Sequence, residues 1–347
     1  MSDDRRRTGQ LESQRDDTLR RWIAGEVHPY CAPLRERLDR SGLGRRGVRT
    51  AADLGRIPVT DLSELGDGRR WVLEPTAERI RAAGSPELRA RLLVSDVVGG
   101  QEAFARRHVD LPYKPVTWVA APHPAGVLLT GWTTSDLEQL ARLGRRALAV
   151  SGVRPGDRIA CVSTGGGIGP VQLELGARDA GIAHLRARPD GAADVLAVAA
   201  PSVVSGPATG LVDLVRAELP PSVRLLVAQL GPEDAGADLP ALRREAGVPV
   251  RLWWAPAGVR AAWATCEADQ LHTWPDHEHL EVVDEHAEAA EVGRLVWSAV
   301  GWRGTVWLRL ALGPEGRVER GRCTCGRTTP RVLGARRLAG SRRRADR

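Results

Sequence analysis

The chain has 347 residues, more than one hydrophobic core usually organises, so we expect two or three packed subdomains. Its apolar share of 42% is sufficient for a buried core. No run of about 18 uncharged apolar residues occurs, and the N-terminus reads MSDDRRR without an apolar stretch behind it. These features argue against a membrane span and a secretory signal, and we expect a cytoplasmic protein without a membrane partner.

The net charge of +7 and the pI of about 9.9 favour anionic partners such as nucleic acid. The positive charge is almost all arginine, since Lys114 is the only lysine, and this bias indicates the codon preference of a GC-rich genome. The most basic clusters lie at the two ends of the chain, in residues 5–7 and in the tail 336–347. No recognition helix or stacking motif accompanies them, so we do not expect a nucleic-acid partner.

Residues 1–115 form a predicted helical N-terminal region. Leu19, Trp22 and Ile23 fall at three- and four-residue spacing, which is typical of the apolar face of a helix. We therefore expect a helical lead-in to the sheet that follows.

Residues 116–260 form a predicted α/β subdomain, because short β-rich runs alternate with helical runs as in a mostly parallel sheet. Its clearest helix is 135–150, where Ser135 and Glu138 make a capping box. Other helices are predicted at 170–180, 209–218 and 240–246, and strands at 158–162, 193–199, 223–228 and 250–254.

Residues 261–335 form a predicted β-rich subdomain that binds zinc. Strands without intervening helices are expected at 280–284, 294–298 and 305–310, which indicates antiparallel pairing. The basic tail 336–347 follows. The predicted fold class is therefore α/β, with a helical lead-in, a mostly parallel sheet and a C-terminal antiparallel β subdomain.

Five cysteines in a chain expected to stay in a reducing compartment fit metal binding better than a disulfide framework. Cys266 and His272 are separated by five residues, and Cys323 and Cys325 form a Cys-x-Cys pair followed by a glycine. Three thiolates and one imidazole are a donor set suited to a closed tetrahedral zinc site. No position is left for water, so the predicted zinc is structural and its binding free energy contributes to folding.

The same residues have a simpler interpretation. The thiols can be buried apolar side chains, and His272 can be a solvated loop histidine like its neighbours His277, His279 and His286. The spacing departs from the commoner Cys-x2-Cys knuckle, so the residues by themselves leave both interpretations open.

Four segments around these cysteines resemble the end of the large domain in phenylacetate-coenzyme A ligases, which belong to the adenylate-forming superfamily. They are CEADQLH at 266–272, EVVD at 281–284, GRLV at 293–296 and CTCGR at 323–327. The similarity extends upstream through GWTTSDL at 131–137, VRPGD at 153–157 and, more weakly, IPVTDL at 57–62. It covers most of the chain and implies the large-domain architecture of enzymes that activate a carboxylate with ATP and then transfer the acyl group to coenzyme A.

The resemblance also implies four catalytic elements, and the sequence departs from each. The phosphate loop expected before Gly131 should be rich in Ser, Thr and Gly, but residues 119–126 read VAAPHPAG. The glutamate expected to hold magnesium is missing from residues 254–258, WAPAG. Pro314 stands where the ribose-binding aspartate is expected, and the lysine of the mobile C-terminal domain is missing.

The joint loss predicts a pseudoenzyme that keeps the scaffold and the zinc. We expect no catalytic residue and no use of ATP, magnesium or coenzyme A. The predicted function is that of a noncatalytic binding or partner protein for an active ligase paralogue, an acyl carrier protein, or an aromatic or acyl small molecule. The alternative is an active acyl-coenzyme A ligase with a rewritten ATP site and a small domain supplied in trans.

The glycine-rich bend TGGGIGP at 164–170 joins a strand to a helix and can present backbone amides to an anion. Its spacing fits neither a dinucleotide fingerprint nor a Walker loop, so a plain tight turn is the simpler interpretation. In the resembled family this region borders the acyl pocket, which implies a retained small-molecule cavity. The predicted pocket residues are Gly165, Gly166, Gly167 and Trp254.

Overall fold

The structure is a computed structural model that describes residues 8–123, 126–163, 167–231 and 237–336. Within these residues there is a main sheet of eleven strands and a separate two-stranded sheet. The strands are β1 (Thr117–His123), β2 (Gly126–Trp132), β3 (Arg158–Val162), β4 (Ala183–Ala187), β5 (Val203–Pro207), β6 (Leu225–Leu230), β7 (Val250–Trp254), β8 (Trp263–Thr265), β9 (Leu271–His272), β10 (Glu278–Val283), β11 (Gly293–Ala299), β12 (Leu310–Glu319) and β13 (Arg331–Arg336).

Helices precede the sheets and alternate with the strands that form one end of the main sheet. They are α1 (Thr8–Trp22), α2 (His28–Tyr30), α3 (Ala32–Arg40), α4 (Ala77–Ala83), α5 (Pro86–Val98), α6 (Gln101–Ala105), α7 (Leu111–Tyr113), α8 (Thr134–Val150), α9 (Ile168–Asp179), α10 (Ala192–Ala199), α11 (Ala208–Arg216) and α12 (Leu239–Glu245). Short 3-10 and π turns interrupt the N-terminal helices at Ile23–Val27, Ala51–Arg56, Leu62–Leu65, Arg69–Trp71 and Arg106–Asp110.

The main sheet has the strand order β10-β11-β12-β13-β9-β8-β7-β6-β5-β3-β4. The strands β4, β3, β5, β6 and β7 are parallel neighbours. Every residue of β6 is buried, as expected for a strand covered on both faces. On one face, α8 and α9 approach so closely that a Cβ at Gly144 or Gly176 would overlap the backbone of the other helix.

Beyond β7 the main sheet becomes antiparallel, through β8, β9, β13, β12, β11 and β10. It therefore continues across residue 260, where the sequence places a subdomain boundary. Because β9 lies between β8 and β13, the loop after β8 comes next to the turn that joins β12 to β13. This arrangement positions the candidate metal ligands.

Two of the predicted strands are wrong. Residues 193–199 lie in α10, where Ala192 and Leu196 are buried while Val195 and Val198 are exposed, which is the period of a helix. The strand predicted at 305–310 is displaced, because β12 begins only at Leu310 and the preceding residue has a left-handed backbone with φ of 51°. The strands β1, β2, β4, β5, β8, β9 and β13 were not predicted.

The capping box at the start of α8 lies two residues before the predicted one. The hydroxyl of Thr133 accepts a hydrogen bond from the backbone N–H of Asp136 at 3.2 Å, and the Asp136 carboxylate accepts one from the N–H of Thr133 at 3.1 Å. Ser135 and Glu138 are therefore not the capping pair. Asp136 forms the cap because its carboxylate also accepts hydrogen bonds from backbone N–H groups distant in sequence and from an arginine, and these contacts fix the turn.

The N-terminal helical region packs against the antiparallel part of the main sheet. The indole N–H of Trp22 donates to the carbonyl of Trp302 at 2.8 Å. Isolated bridges join Thr60 to Leu310 and Val72 to Thr305. Within the described residues, no helix combines the length and the apolar character needed to cross a bilayer.

Candidate metal centre

The four predicted metal ligands come together at one end of β8, β9 and β13. Cys266 directly follows β8, and its carbonyl accepts the N–H of Asp269 at 2.9 Å in a tight turn. His272 ends β9. Cys323 and Cys325 lie in the turn before β13, where the N–H of Gly326 donates to the Cys323 carbonyl at 2.8 Å. One hydrogen-bonded turn beside the sheet thus presents Cys266, and a second presents both Cys323 and Cys325.

The donor atoms of these four residues all lie within 4.8 Å of one another. The sulfurs of Cys266 and Cys323 are 3.9 Å apart, and the sulfur of Cys325 is 3.5 Å from Nε2 of His272. A tetrahedral zinc ion with bonds of about 2.3 Å to sulfur and about 2.05 Å to nitrogen separates two sulfurs by roughly 3.8 Å and a sulfur and a nitrogen by roughly 3.6 Å. The geometry therefore fits a metal ion such as zinc.

His272 is oriented as a ligand by a hydrogen bond at its other ring nitrogen. Its Nδ1 lies 2.7 Å from the hydroxyl oxygen of Thr329, so an Nδ1–H can donate there while Nε2 faces the sulfurs. Burial, together with the charge of Arg327, lowers the pKa of His272 to about 4. The imidazole is therefore neutral at physiological pH, as metal ligation requires.

The thiols differ in how readily they ionise. Burial raises the pKa of Cys266 to about 12, whereas for Cys323 burial is outweighed by hydrogen bonds from Cys325, and the pKa is lowered. A metal ion at the centre of the group would bind the thiolates and release their protons. With all four donors used, the site would be closed to water and structural in character.

The segment expected to hold phosphate has a regular extended conformation. Residues 119–123 lie in β1, which pairs with β2 from Thr117↔Trp132 to His123↔Gly126. Residues 124–125 of the expected loop lie outside the described residues. In an extended strand successive N–H groups point to opposite sides, so the described part of this segment cannot converge several amides on one phosphate.

The segment expected to hold adenine and magnesium is packed against the segment expected to hold ribose. The carbonyl of Gly258 accepts the indole N–H of Trp307 at 2.7 Å. A Cβ at Gly258 would overlap the side chain of Leu310, which begins β12. Leu128 of β2 also lies close to Gly258, and the side chains of Trp307, Leu310 and Leu128 are all fully buried.

The chain matches the crystal structure of 2-hydroxyisobutyryl-CoA ligase in the postadenylation state in complex with R3-HIB-AMP. The TM-score is 0.71 at 16% sequence identity, and the match covers 95% of this chain and 69% of the ligase. The two chains share a fold. The predicted architecture of the adenylate-forming large domain is thereby confirmed, whereas a specific relationship to phenylacetate-coenzyme A ligases stays a prediction.

Two further structures match a smaller part of the chain. O-succinylbenzoate coenzyme A synthetase from Bacillus subtilis, in complex with AMP, has a TM-score of 0.45 at 14% identity, with 64% of this chain and 50% of that chain covered. The anthranilate CoA ligase in complex with anthranoyl-AMP has a TM-score of 0.44 at 14% identity, with 64% and 47% covered. No protein-family model matches the sequence, and the search of curated proteins gave no match.

Arg260, which was not predicted as a site residue, ties the segment between β7 and β8 to the end of β2 and the start of α8. Its side chain is 0% exposed and donates to the Asp136 carboxylate at 2.9 Å and to the Gly131 carbonyl at 3.0 Å. The guanidinium also lies 3.6 Å from the ring centre of Trp132. Burial lowers its pKa to about 10, which leaves it charged. Arg260 and Asp136 are separated by 124 residues in sequence, so no local pattern indicates their ion pair.

Glu278, at the start of β10, was also missed. Its carboxylate accepts hydrogen bonds from the backbone N–H of Trp274 at 2.6 Å and from the indole N–H groups of Trp263 at 2.8 Å and Trp297 at 2.7 Å. Burial raises its pKa to about 7 despite these three donors. Tryptophans near an acidic residue are a weak signal in sequence, and the convergence depends on the pairing of β10 with β11.

The predicted pocket residues have different outcomes. Gly165 and Gly166 lie outside the described residues. Gly167 precedes α9 with φ of 73°, a conformation that favours glycine. Trp254 ends β7, is buried, and packs edge-to-face on Trp263 with ring centres 5.2 Å apart. A small-molecule pocket at these residues stays a prediction.

Proposed function

We propose that the chain is a zinc-stabilised, noncatalytic homologue of acyl- and aryl-coenzyme A ligases, with phenylacetate-coenzyme A ligases as its relatives, and that it acts as a binding or partner protein. The observation that carries this proposal is the contrast between two parts of one fold. The Cys266, His272, Cys323 and Cys325 group has the geometry of an intact metal centre. The segments expected to hold ATP lack the necessary side chains.

The phosphate segment gives the strongest support for a loss of ATP chemistry. A triphosphate is held by successive N–H groups on one concave side of a loop, often with Ser or Thr hydroxyls. Residues 119–123 are extended, Pro122 has no N–H, and no Ser or Thr occurs between residues 119 and 126. Without a glutamate at 254–258, a magnesium ion would also lack its expected ligand.

We infer zinc because three thiolates and one imidazole are the donors that zinc prefers, whereas magnesium and calcium prefer oxygen. The ion would link Cys266, which follows β8, to Cys323 and Cys325, which precede β13. The ion would supply no catalytic chemistry there, because its four positions would be filled by protein. Its contribution would be to stabilise the antiparallel part of the main sheet.

The outer face of the β1–β2 hairpin is the surface that we propose for a partner. All eleven tryptophans lie in the described residues; ten are buried, and the indole of Trp118 is 44% exposed. Val127 on β2 is more than half exposed on the same face as Trp118, because the strand register aligns Trp118 with Gly131 and Pro122 with Val127. Exposed apolar residues of this kind are typical of protein interaction sites. An acyl carrier protein or an active ligase paralogue is the partner we propose.

The decisive experiment is calorimetric titration of the metal-loaded protein with ATP and magnesium, with metal content measured on the same sample. We expect about one zinc ion per chain from the single four-ligand site and no heat of ATP binding. The 2-hydroxyisobutyryl-CoA ligase is a suitable positive control for the titration. Micromolar ATP binding would contradict the proposal and favour the active-ligase alternative, which then requires acyl transfer when a separate lysine-bearing domain is added.

A further inference from the structure

A cleft of about 520 Å³ opens on the antiparallel part of the main sheet, between β10 and the end of β12. A narrower cavity adjoins it and reaches Arg15 of α1. The two share the lining residues His279, Leu280, Val318 and Arg320. The volume is within the range of sites for small organic ligands, and the lining combines apolar and charged side chains as such sites do.

His279 lies where the two cavities meet and is only 9% exposed. Its Nδ1 is buried and has no hydrogen-bond partner among the described residues. Leaving such an atom without a partner is unfavourable, so a group that can hydrogen-bond to it is expected nearby. His279 is not one of the four metal ligands. A ligand in the cleft would give the ring a partner.

The cationic groups nearest to this ring are guanidiniums. Burial, with the charges of Arg15, Arg320 and Arg309, lowers the pKa of His279 to about 3. The ring is therefore neutral and offers one N–H donor and one acceptor nitrogen. Arg15 is paired with Asp16 at 2.9 Å and Arg309 with Glu281 at 3.3 Å, so Arg320 is the guanidinium that can attract an anionic ligand group.

Several charges of the cleft already have protein partners. Glu281 lies 3.3 Å from Arg309, and Glu319 lies 3.2 Å from Arg331. The Arg320 side chain is 51% exposed and lies 3.4 Å from Glu12, a distance too long for a strong ion pair. An exposed and weakly held guanidinium can turn towards a ligand at little cost.

We propose that this cleft binds the carboxylate end of a small organic acid. His279 and Arg320 are the donors to the carboxylate, and Leu280 and Val318 contact the apolar part of the acid. The wall also carries Glu281, Glu291 and Glu319, which repel a phosphate more strongly than an anion with a single charge. The residues that line the cleft include no metal ligand and none of residues 119–126 or 254–258, so the proposal does not depend on the proposed function.

The test is a nuclear magnetic resonance titration of the full, metal-loaded chain with labelled histidine, in which the variant His279→Gln assigns the ring signal. The probes are sodium benzoate, neutral benzamide and sodium phosphate at constant ionic strength. We expect benzoate to move the His279 signal saturably and benzamide not to move it. Arg320→Gln should weaken benzoate binding about tenfold, the effect of losing one charge-assisted hydrogen bond. Arg322→Gln, which changes an exposed arginine two residues away, is the matched control.

Each other outcome overturns the proposal in a distinct way. Equal responses to benzoate and benzamide would mean that the cleft does not recognise charge. A stronger response to phosphate would mean that it recognises a multivalent anion. The absence of a saturable shift, or equal affinity in Arg320→Gln and Arg322→Gln, would mean that this residue and cleft do not hold the carboxylate. None of these results bears on ATP binding, so failure here is distinguishable from failure of the proposed function.

Discussion

Glu278 gives the sharpest test of the packing of the antiparallel part of the main sheet. It is a fully buried carboxylate surrounded by N–H donors, and burial raises its pKa to about 7 from the ordinary value of 4.5. A carboxyl group with a raised pKa in the folded state binds its proton more tightly there than in the unfolded state. Its stabilising effect is present below pH 4.5 and is lost as the pH rises to about 7.

The magnitude follows from the difference between these two pKa values. At about 1.36 kcal/mol per pKa unit, the total is roughly 3 kcal/mol, of which about 2.5 kcal/mol falls between pH 5 and pH 8. Glu278→Gln removes the titration while keeping the shape of the side chain. The unfolding free energy of the wild-type protein, relative to that of the variant, should therefore fall by about 2.5 kcal/mol from pH 5 to pH 8.

The measurement is urea denaturation of both proteins at the two pH values, followed by tryptophan fluorescence. The buried His279 titrates with the opposite sign, because its lowered pKa gives stability that is lost as the pH falls. That contribution is common to both proteins and cancels in the difference. Glu315→Gln, an exposed change on β12, is the control and should show no such pH dependence. A difference between wild type and Glu278→Gln that stays constant within about 0.5 kcal/mol would refute the reasoning.

Three further results are expected. Cys266→Ser should lower bound zinc, measured by plasma mass spectrometry, to well below one ion per chain and lower the melting temperature. Cys161→Ser, at a buried thiol outside the group, should leave the metal content unchanged. Zinc affinity should fall as the pH falls, because protons compete for the thiolates. Arg260→Met should lower the unfolding free energy, measured by denaturant titration, by about 3–5 kcal/mol, because it leaves Asp136 buried without its arginine. Asp136→Asn should lower the unfolding free energy much less in the Arg260→Met background than in the wild-type protein. Trp118→Ser should change the unfolding free energy by less than about 0.5 kcal/mol, because the indole is exposed. The same change should weaken the capture of an acyl carrier protein, measured by surface plasmon resonance. Equal capture by the variant and the wild type would reject the outer face of the β1–β2 hairpin as the partner surface.

The metal centre could be predicted from sequence because its signal is chemical. Cys323 and Cys325 in one turn, with Cys266 and a nearby histidine, are donors suited to zinc, and the resemblance to a ligase family favoured metal binding over buried thiols. What the sequence lacks is the pairing of β9 with both β8 and β13, which brings the two turns together. Pairings between strands distant in sequence depend on side chains throughout the sheet, so they have no local pattern.

The secondary structure was predicted well where the period was clear and poorly where alanine and valine alternate. Residues 193–199 read as a β run because of their valines, but the burial of Ala192 and Leu196 four residues apart shows a helix lying on the sheet. Arg260 and Glu278 were missed for another reason. A charged residue is expected at the surface unless its buried partner is known, and each of these two has partners that only the tertiary fold supplies.

Buried side chains of this chain hold the backbone of Gly131 and Gly258 in place. Gly131 is held by the Arg260 guanidinium at its carbonyl and by the Thr305 hydroxyl at its N–H, 2.7 Å away. Gly258 is held by the Trp307 indole. A ligase that binds ATP gains binding free energy from its ligand in the folded state, and a chain without that ligand must obtain the same stability from its own side chains. Under the proposed function, buried contacts of this kind would keep the scaffold folded without ATP.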